Sequence, residues 1–264
     1  MAIIKKVPEI SVSIAIEGKE ADEYDPCHEK DQAQDEVPTV RRYIQAQSGS
    51  KYSISYRISP NFQFKNGTDM LGLHIYVDGS HFHSKYIRES DLGGSECCGQ
   101  VPSRHTKRQG QVEALVFSPV QPIEDASRKT VDEDMRRVKR MGSIQIVVNT
   151  WKAELIEDLK PSNFPPSRSP YVAQKALSKS SRGVTHTTLH KTFRARKTAV
   201  FSRYLRLTNK HKVAVFKFRY ASRESIERQC IKLNGQAPDR ATSDAYKVTK
   251  RLDGKEEIDL TGLE

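Results

Sequence analysis

The sequence lacks the features that would place it in a membrane or an oxidising compartment. Only four of its 264 residues are cysteine, too few for a disulfide framework in a chain of this length. No apolar run is long enough to cross a bilayer, and the start, MAIIKKVPEISVSI, has no apolar core followed by a cleavage site. These absences predict an intracellular protein, nuclear or cytoplasmic, that is neither secreted nor bound to a membrane.

Recognised catalytic motifs are also missing. The sequence contains no G-x-S-x-G nucleophile elbow, no P-loop and no G-x-G-x-x-G after a strand. Carboxylates are densest in residues 20–36, where too few apolar residues are present to desolvate them for acid–base chemistry. We therefore predict no catalytic residues and no cofactor, and an enzyme of unrecognised type is the least favoured alternative.

Metal-binding residue types come closest together in His81, His83, Cys97, Cys98 and His105. Zinc takes tetrahedral Cys and His ligands, which would make this group a candidate site. However, no C-x-x-C pair is present, and adjacent cysteines rarely bind one zinc together. We therefore favour surface histidines and loop thiols, and predict no metal site.

Strand-like alternation is the strongest positive signal. In residues 51–87, apolar residues occupy every second position from Tyr52 to Ile58 and again from Leu71 to Val77. Asp78-Gly79 then predicts a tight hairpin with a return strand. Similar alternation occurs near residues 9–16, 37–47, 112–120, 143–151 and 213–220. The chain is therefore predicted to form about eight strands.

Helix signals are fewer. Thr130 with Glu133 three residues on is typical of a capping box, and Gly142 suits the end of that helix. Short helices are also expected near residues 171–180 and 222–231. We predict a mainly β fold, an antiparallel β-sandwich or jelly-roll with two or three short peripheral helices. It would span residues 1–233 with long loops at 20–36, 89–111 and 158–200, followed by a flexible tail at 234–264.

Four segments together resemble a known family. They are EISVSIAIEGKEADEYD, TVRRYIQAQSGSKYSISYRISPNF followed by LGLHIYVDG, GSIQIVVNTW, and the ending VAVFKFRYASRESIERQCI. This pattern is similar to a fungal family known only as a domain of unknown function (7918), over roughly residues 8–233. The resemblance implies that family's fold and a fungal origin, and it implies no activity.

Charge is distributed unevenly along the chain. The net charge is +11, made up of −4 in residues 1–100, +17 in residues 101–233 and −2 in the last 31 residues. A positive middle section is typical of proteins that meet nucleic acid or acidic proteins. Nucleic acid is therefore a candidate partner.

Two basic groups supply this charge. The first is Arg136, Arg137, Lys139 and Arg140, and the second is Lys191, Arg194, Arg196, Lys197, Arg203, Arg206, Lys210 and Lys212, with Phe193, Phe201 and Tyr204 interleaved. Cations contact phosphates and aromatic rings stack on bases, which favours single-stranded or structured nucleic acid. A solvated face or a nuclear import signal is the competing explanation.

The C-terminal sequence Glu256-Glu257-Ile258-Asp259-Leu260-Thr261 resembles a SUMO-interacting motif. Such a motif adds a strand to the edge of the modifier's sheet, with Ile258 and Leu260 as anchors and acidic neighbours facing a basic rim. The predicted partner-binding residues are Ile258, Asp259, Leu260 and Thr261. The alternative is a polar tail in which the pattern arises by chance.

These observations rank three functions. The sequence favours a non-enzymatic, intracellular protein-binding domain that recruits SUMO through its tail. A basic nucleic-acid-binding or chromatin-associated nuclear protein is the alternative, and an enzyme comes third. A homodimer is one option for the oligomeric state, because aromatic-rich sheet edges can pair.

Overall fold

The computed structural model describes residues 1–26, 36–106, 111–155, 169–180, 183–194, 205–231, 247–250 and 256–259. The strands are β1 Ala2–Ile4, β2 Val7–Ile16, β3 Lys19–Glu20, β4 Glu23–Tyr24, β5 Thr39–Gln45, β6 Lys51–Ile58, β7 Met70–Val77, β8 Ser80–Arg88, β9 Cys97–Val101, β10 Ser103–His105, β11 Gln111–Pro119, β12 Gln121–Ile123, β13 Ser143–Leu155, β14 Tyr171–Ala173, β15 His186–Arg194, β16 Leu205–Ala221, β17 Lys247–Lys250 and β18 Glu256–Asp259. The helices are α1 Glu89–Leu92, α2 Arg128–Val138, α3 Gln174–Ser178 and α4 Arg223–Ile231. The predicted mainly β, sandwich-like fold is confirmed.

The chain divides into two compact units, Met1–Ile226 and Glu227–Glu264. The first unit contains two large sheets. The second contains β17 and β18, which pair antiparallel with Val248 opposite Ile258. The segment predicted to be a flexible tail therefore includes a hairpin in its described residues, whereas Leu260 and Thr261 lie outside them.

The first large sheet is centred on β6, which pairs with β2 along seven positions from Ile10↔Ile58 to Ile16↔Tyr52. On its other side β6 pairs with β11 at Tyr52 and Lys51, and then with β9 from Ile54 to Ile58. β15 forms a long antiparallel pair with β11, and β1 and β3 flank β2. The tyrosines and isoleucines of β6 face the core because alternate strand residues share one face.

The second large sheet has the order β4-β5-β16-β13-β7-β8. All its pairs are antiparallel except β16 with β5, which is parallel. β7, β13 and β16 lie in its centre and carry continuous apolar inward faces. The predicted hairpin at Asp78-Gly79 joins β7 to β8, and Asp78 has a φ of 49° there.

The two sheets enclose one core. Its largest fully buried side chains include Phe82, Phe117, Phe216, Phe218 and Tyr220. The ring of Tyr52 stacks on that of Phe117 at 4.2 Å between centroids. Burial of such rings is the main source of stability in a sandwich of this size.

A small second cluster packs outside the sandwich, where α2, α3 and β14 bury Val138, Met141, Val172 and Ala176 against one another. β14 pairs in parallel with β12, which ties this cluster to the end of β11. No helix in the described part of the chain has both the length and the apolar character needed to span a membrane.

Two segments predicted to be loops contain strands. Residues 89–111 include α1, β9 and β10, and residues 158–200 include β14, α3 and the whole of β15. The prediction failed at β9 because Cys97-Cys98-Gly99 has no apolar alternation and is held by pairing with β6. It failed at β15 because the buried residues of that strand, His186, Thr187 and Thr188, are all polar. The two threonine hydroxyls are satisfied by distant partners. The loop predicted at 20–36 contains the short strand β4, and residues 27–35 lie outside the described residues.

The start of α2 also differs from the prediction. The N-cap is Ser127, whose hydroxyl accepts a hydrogen bond from the Thr130 backbone N–H at 3.2 Å, so Thr130 is inside the helix. Ser127 offers the same capping chemistry three residues earlier, and the predicted capping box with Glu133 was wrong.

Candidate functional site

Along β16, Lys and Arg alternate with core aromatic residues, so these cations lie on the outer face of the second sheet. Phe216 and Phe218 of β16 point into the core, so the intervening Lys217 and the following Arg219 lie on the opposite face. The parallel neighbour β5 brings Arg41 beside Lys217 and Tyr43 beside Arg219. Strand alternation and the β5–β16 pairing together therefore gather these cations.

One row of side chains crosses four strands of this face. Arg41 of β5 lies beside Lys217 of β16, which lies beside Gln145 of β13, and Tyr76 of β7 is next. Neighbouring strands are about 4.8 Å apart, so the row spans roughly 15 Å. The Tyr76 ring continues the row to His81, at 5.4 Å between centroids.

Two adjoining depressions follow this face. The larger, which we call the cationic groove, has a volume of about 460 Å³ and its described lining includes Arg41, Arg42, Lys139, Arg140, Lys217 and Arg219. The smaller, which we call the amide pocket, has a volume of about 440 Å³ and is lined by Tyr76, Gln145, Val147, Asn149, Lys210 and Lys212. Tyr76 and Gln145 line both. None of the described lining residues of either depression is Asp or Glu.

The end of α2 supplies Lys139 and Arg140 to the rim of the cationic groove. α2 ends at Val138 with Lys139 as its C-cap, so the prediction that Gly142 ends the helix was wrong. Gly142 instead lies in the turn into β13, where its φ of 66° suits glycine. The Ser143 hydroxyl donates to the Arg140 carbonyl at 2.6 Å, and the aliphatic part of Arg140 packs over Gly79. A Cβ on Gly79 would lie 2.5 Å from the Arg140 Cδ, so this contact requires glycine.

A buried carboxylate fixes the turn beneath this rim. Asp78 accepts hydrogen bonds from the Tyr220 hydroxyl at 2.7 Å, the Thr188 N–H at 2.9 Å and the Thr187 hydroxyl at 3.0 Å. The Ser143 N–H adds a fourth at 3.2 Å. Burial raises the pKa of Asp78 above its ordinary value of 3.8, against the opposing effect of these hydrogen bonds. The network links β15 of the first sheet to β7, β13 and β16 of the second.

The cations of the groove differ in how far their charge is already balanced. Arg42 lies on the same face of β5 as Val40 and Ile44 and forms ion pairs with Asp25 and, at 3.7 Å, Glu23. The Arg219 guanidinium instead donates to the Tyr43 hydroxyl at 3.2 Å, which leaves its positive charge without neutralisation by that partner. The groove is therefore positive mainly through its other cations, among them Lys217 and Arg219.

An aromatic cluster adjoins the amide pocket. The ring of Trp151 lies 5.0 Å from His74 and 6.0 Å from Tyr86, and the Lys210 ammonium is 5.9 Å from the Trp151 ring centroid. Burial lowers the pKa of His74 to about 4, with the charges of His81 and Lys210 adding to the effect. His74 is thus neutral at pH 7 and adds no charge to the cluster.

The predicted basic residues do not form one group. Lys139 and Arg140 line the cationic groove and Arg136 is exposed on α2, whereas Arg137 donates to the Tyr171 carbonyl at 2.9 Å and to that of Ser169, holding α2 to the β14 segment. Lys191 and Arg194 are exposed on β15 of the first sheet. Arg196, Lys197 and Arg203 lie outside the described residues.

The most central groove residues were not among the predicted sites. Arg41 is more than 170 positions from Lys217 and Arg219 along the chain, and it meets them through the parallel β5–β16 pair, which the sequence does not reveal. The available signal was the alternation in FKFRY, where two cations interrupt an aromatic core face. Lys210 and Lys212 belonged to the second predicted group and line the amide pocket.

Two other kinds of site were suggested by the residue types, a metal site and a serine nucleophile. Within the described residues, no group of three or more His, Cys, Asp or Glu side chains is placed to hold a metal ion. A serine–histidine pair does occur, with Ser48 Oγ 2.9 Å from His186 Nε2 and Thr185 Oγ1 2.9 Å from His186 Nδ1. The backbone N–H groups of Gly49 and Ser50 beside it donate to Phe117 and Gln47 carbonyls, so they are not positioned to stabilise an oxyanion.

Residues 9–232 match the family model described as Domain of unknown function (DUF7918). The chain belongs to this family. The resemblance predicted for residues 8–233 is thereby confirmed, and the family description assigns no activity. No curated protein and no solved structure matches the chain. The cationic groove is therefore the main guide to function.

Proposed function

We propose that this protein binds single-stranded nucleic acid across the outer face of its second sheet. The observation that carries the proposal is the continuous pair of depressions in which eight lining residues are Lys or Arg and no described one is acidic. The sequence ranked a protein-binding role first, and the gathering of these cations around two adjoining depressions favours nucleic acid instead.

The chemistry of the face matches a flexible polyanion. Cations on adjacent strands offer phosphate contacts across the sheet, and Tyr43 and Tyr76 between them offer rings on which bases can stack. Sheets that bind single strands combine these two elements, because stacking and phosphate contacts need no paired bases.

Charge reversal provides the test. We expect Lys217→Glu/Arg219→Glu to weaken binding of a labelled single-stranded oligonucleotide at least tenfold at about 50 mM salt, measured by fluorescence anisotropy. The slope of log affinity against log salt concentration should also fall by about 1.4, since each phosphate contact on a single strand contributes about 0.7.

The matched control is Lys191→Glu/Arg194→Glu, which makes the same charge change on β15 of the first sheet. Its affinity should stay within about threefold of the unmodified protein, because distant charges act only through a screened field. Equal weakening by both pairs would mean that affinity follows net charge alone, and would refute a site on the second sheet. Thermal melts should accompany both variants.

We propose as a second function that the C-terminal unit recruits SUMO. The specific support is that Glu256–Asp259 is already an extended strand, paired on one side with Lys247–Lys250 and with no partner for its other edge among the described residues. An extended, singly paired strand suits addition to the edge of another sheet.

Titration of labelled SUMO tests this second function. The double variant Ile258→Ala/Leu260→Ala should lose the chemical-shift changes that the unmodified protein produces in SUMO, because the apolar anchors supply the pocket contacts. The matched control is Val248→Ala, which alters the paired strand instead. Identical shifts with the Ile258/Leu260 variant and the unmodified protein would contradict the proposal.

Both functions fit the predicted intracellular setting, nuclear or cytoplasmic, and the fungal origin that the resemblance implies. A chromatin-associated or nuclear role would follow from the nucleic-acid proposal, with SUMO as a protein partner in the same compartment.

A further inference from the structure

The amide pocket contains a buried polar atom that needs a partner. Asn149 of β13 is only 1% exposed, and its side-chain oxygen makes no hydrogen bond. The residue nevertheless lines the pocket. Leaving such an acceptor desolvated and unpaired is unfavourable, so a ligand that donates a hydrogen bond to it would gain affinity.

The strand is locally irregular at this point. The pairing of β13 with β16 shifts register between Val148 and Asn149, so that Asn149 lies opposite Lys212. Such bulges redirect side chains and are enriched beside functional sites. The irregularity thus coincides with the unpaired amide.

The other residues of the amide pocket indicate which chemical groups a ligand would carry besides its hydrogen-bond donor. Lys210 and Lys212 are exposed and positively charged, which suits a phosphate. Tyr76 forms the wall shared with the cationic groove and offers a ring for stacking. A ligand here would therefore combine an anionic group, an aromatic ring and a hydrogen-bond donor.

We propose that the amide pocket holds one base of the bound strand and recognises its exocyclic amino group through the Asn149 side-chain oxygen. Asparagine and glutamine amides are the usual protein partners of the adenine amino group. Gln145, four residues before Asn149 on the same strand, lines the pocket too and supplies a second amide. This inference rests on the proposed nucleic-acid function and adds a preference for amino-bearing bases, with adenine best matched.

The test changes the ligand before it changes the protein. A labelled oligoadenylate of about ten nucleotides is compared with the same strand built from purine ribonucleoside, which keeps the ring and lacks the amino group. The unmodified protein should bind oligoadenylate about tenfold more tightly, the effect of one buried hydrogen bond. Because the protein is the same in both arms, folding does not enter the comparison.

The variant Asn149→Ala then assigns the effect. It should bind both strands with equal affinity, close to that of the unmodified protein for the purine strand, and with an unchanged salt slope. Gln100→Ala, which removes an exposed amide on β9 of the first sheet, is the control and should keep the tenfold preference.

The outcomes separate this inference from the function beneath it. Salt-dependent binding of both strands with equal affinity by the unmodified protein would overturn base recognition and leave nucleic-acid binding standing. Absence of binding to either strand at low salt would overturn both. If Asn149→Ala still prefers oligoadenylate, Asn149 does not recognise the amino group and the inference is overturned. If equimolar AMP competes fully with the labelled strand, the pocket binds a free nucleotide and not a base of a bound strand, which also overturns the inference.

Discussion

At the residue scale, Asp78 is a buried carboxylate that joins distant parts of the chain. Its four hydrogen bonds connect the hairpin turn to both sheets, and both carboxylate oxygens are used. The turn was predictable from Asp78-Gly79, whereas the network was not. Its partners Thr187, Thr188 and Tyr220 come from segments more than 100 residues away.

We expect Asp78→Asn to destabilise the protein by about 1–3 kcal/mol, because the amide nitrogen would replace one carboxylate oxygen and leave either the Thr188 or the Ser143 N–H without its acceptor. The measurement is urea unfolding followed by tryptophan fluorescence. The exposed Asp91→Asn is the control for loss of one charge and should change the unfolding free energy much less.

The pH dependence of the difference in unfolding free energy between the unmodified protein and Asp78→Asn tests the protonation of Asp78. Burial raises the pKa of Asp78 above 3.8, so the folded state holds the proton more tightly than the unfolded state. The contribution of Asp78 to stability is then greatest below its unfolded pKa and declines as pH rises through the folded value. The stability gap between the unmodified protein and Asp78→Asn should narrow from pH 4 to pH 7. A gap that widens would mean that the hydrogen bonds outweigh desolvation.

At the element scale, the strands with clear alternation were predictable and the polar ones were not. β2, β6, β7 and β13 follow their apolar patterns, since each contributes one face to the core. β9 and β15 lack such a pattern, and they are held in the sheet by pairing with β6 and β11. The groove depends on a similar long-range event, the parallel pairing of β5 with β16.

The start of α2 yields a prediction at this scale. Ser127→Ala should destabilise the protein by about 1 kcal/mol, because the hydroxyl that accepts from the Thr130 N–H is lost. Thr130→Ala should have less than half this effect, since Thr130 lies within the helix. Thermal unfolding of the two variants distinguishes Ser127 from Thr130 as the N-cap. A larger loss of stability for Thr130→Ala would favour Thr130.

At the scale of the whole molecule, the structure shows where the excess positive charge of the sequence lies. The excess of Lys and Arg in residues 101–233 was evident from the sequence, but it does not form one patch. Lys191 and Arg194 lie on the first sheet, whereas Lys139, Arg140, Lys217 and Arg219 share the cationic groove with Arg41 from the acidic front of the chain. Topology, rather than local charge density, decides which cations act together.

The most direct test of the central claim is to map where a single strand lies. A photo-crosslinkable oligonucleotide bound to the 264-residue protein at about 50 mM salt should attach within β5, β7, β13 and β16, at peptides containing Tyr43 or Tyr76, as identified by mass spectrometry. The same crosslinks should disappear in Lys217→Glu/Arg219→Glu. Crosslinks concentrated on β15 and the first sheet, and unaffected by that variant, would contradict the account.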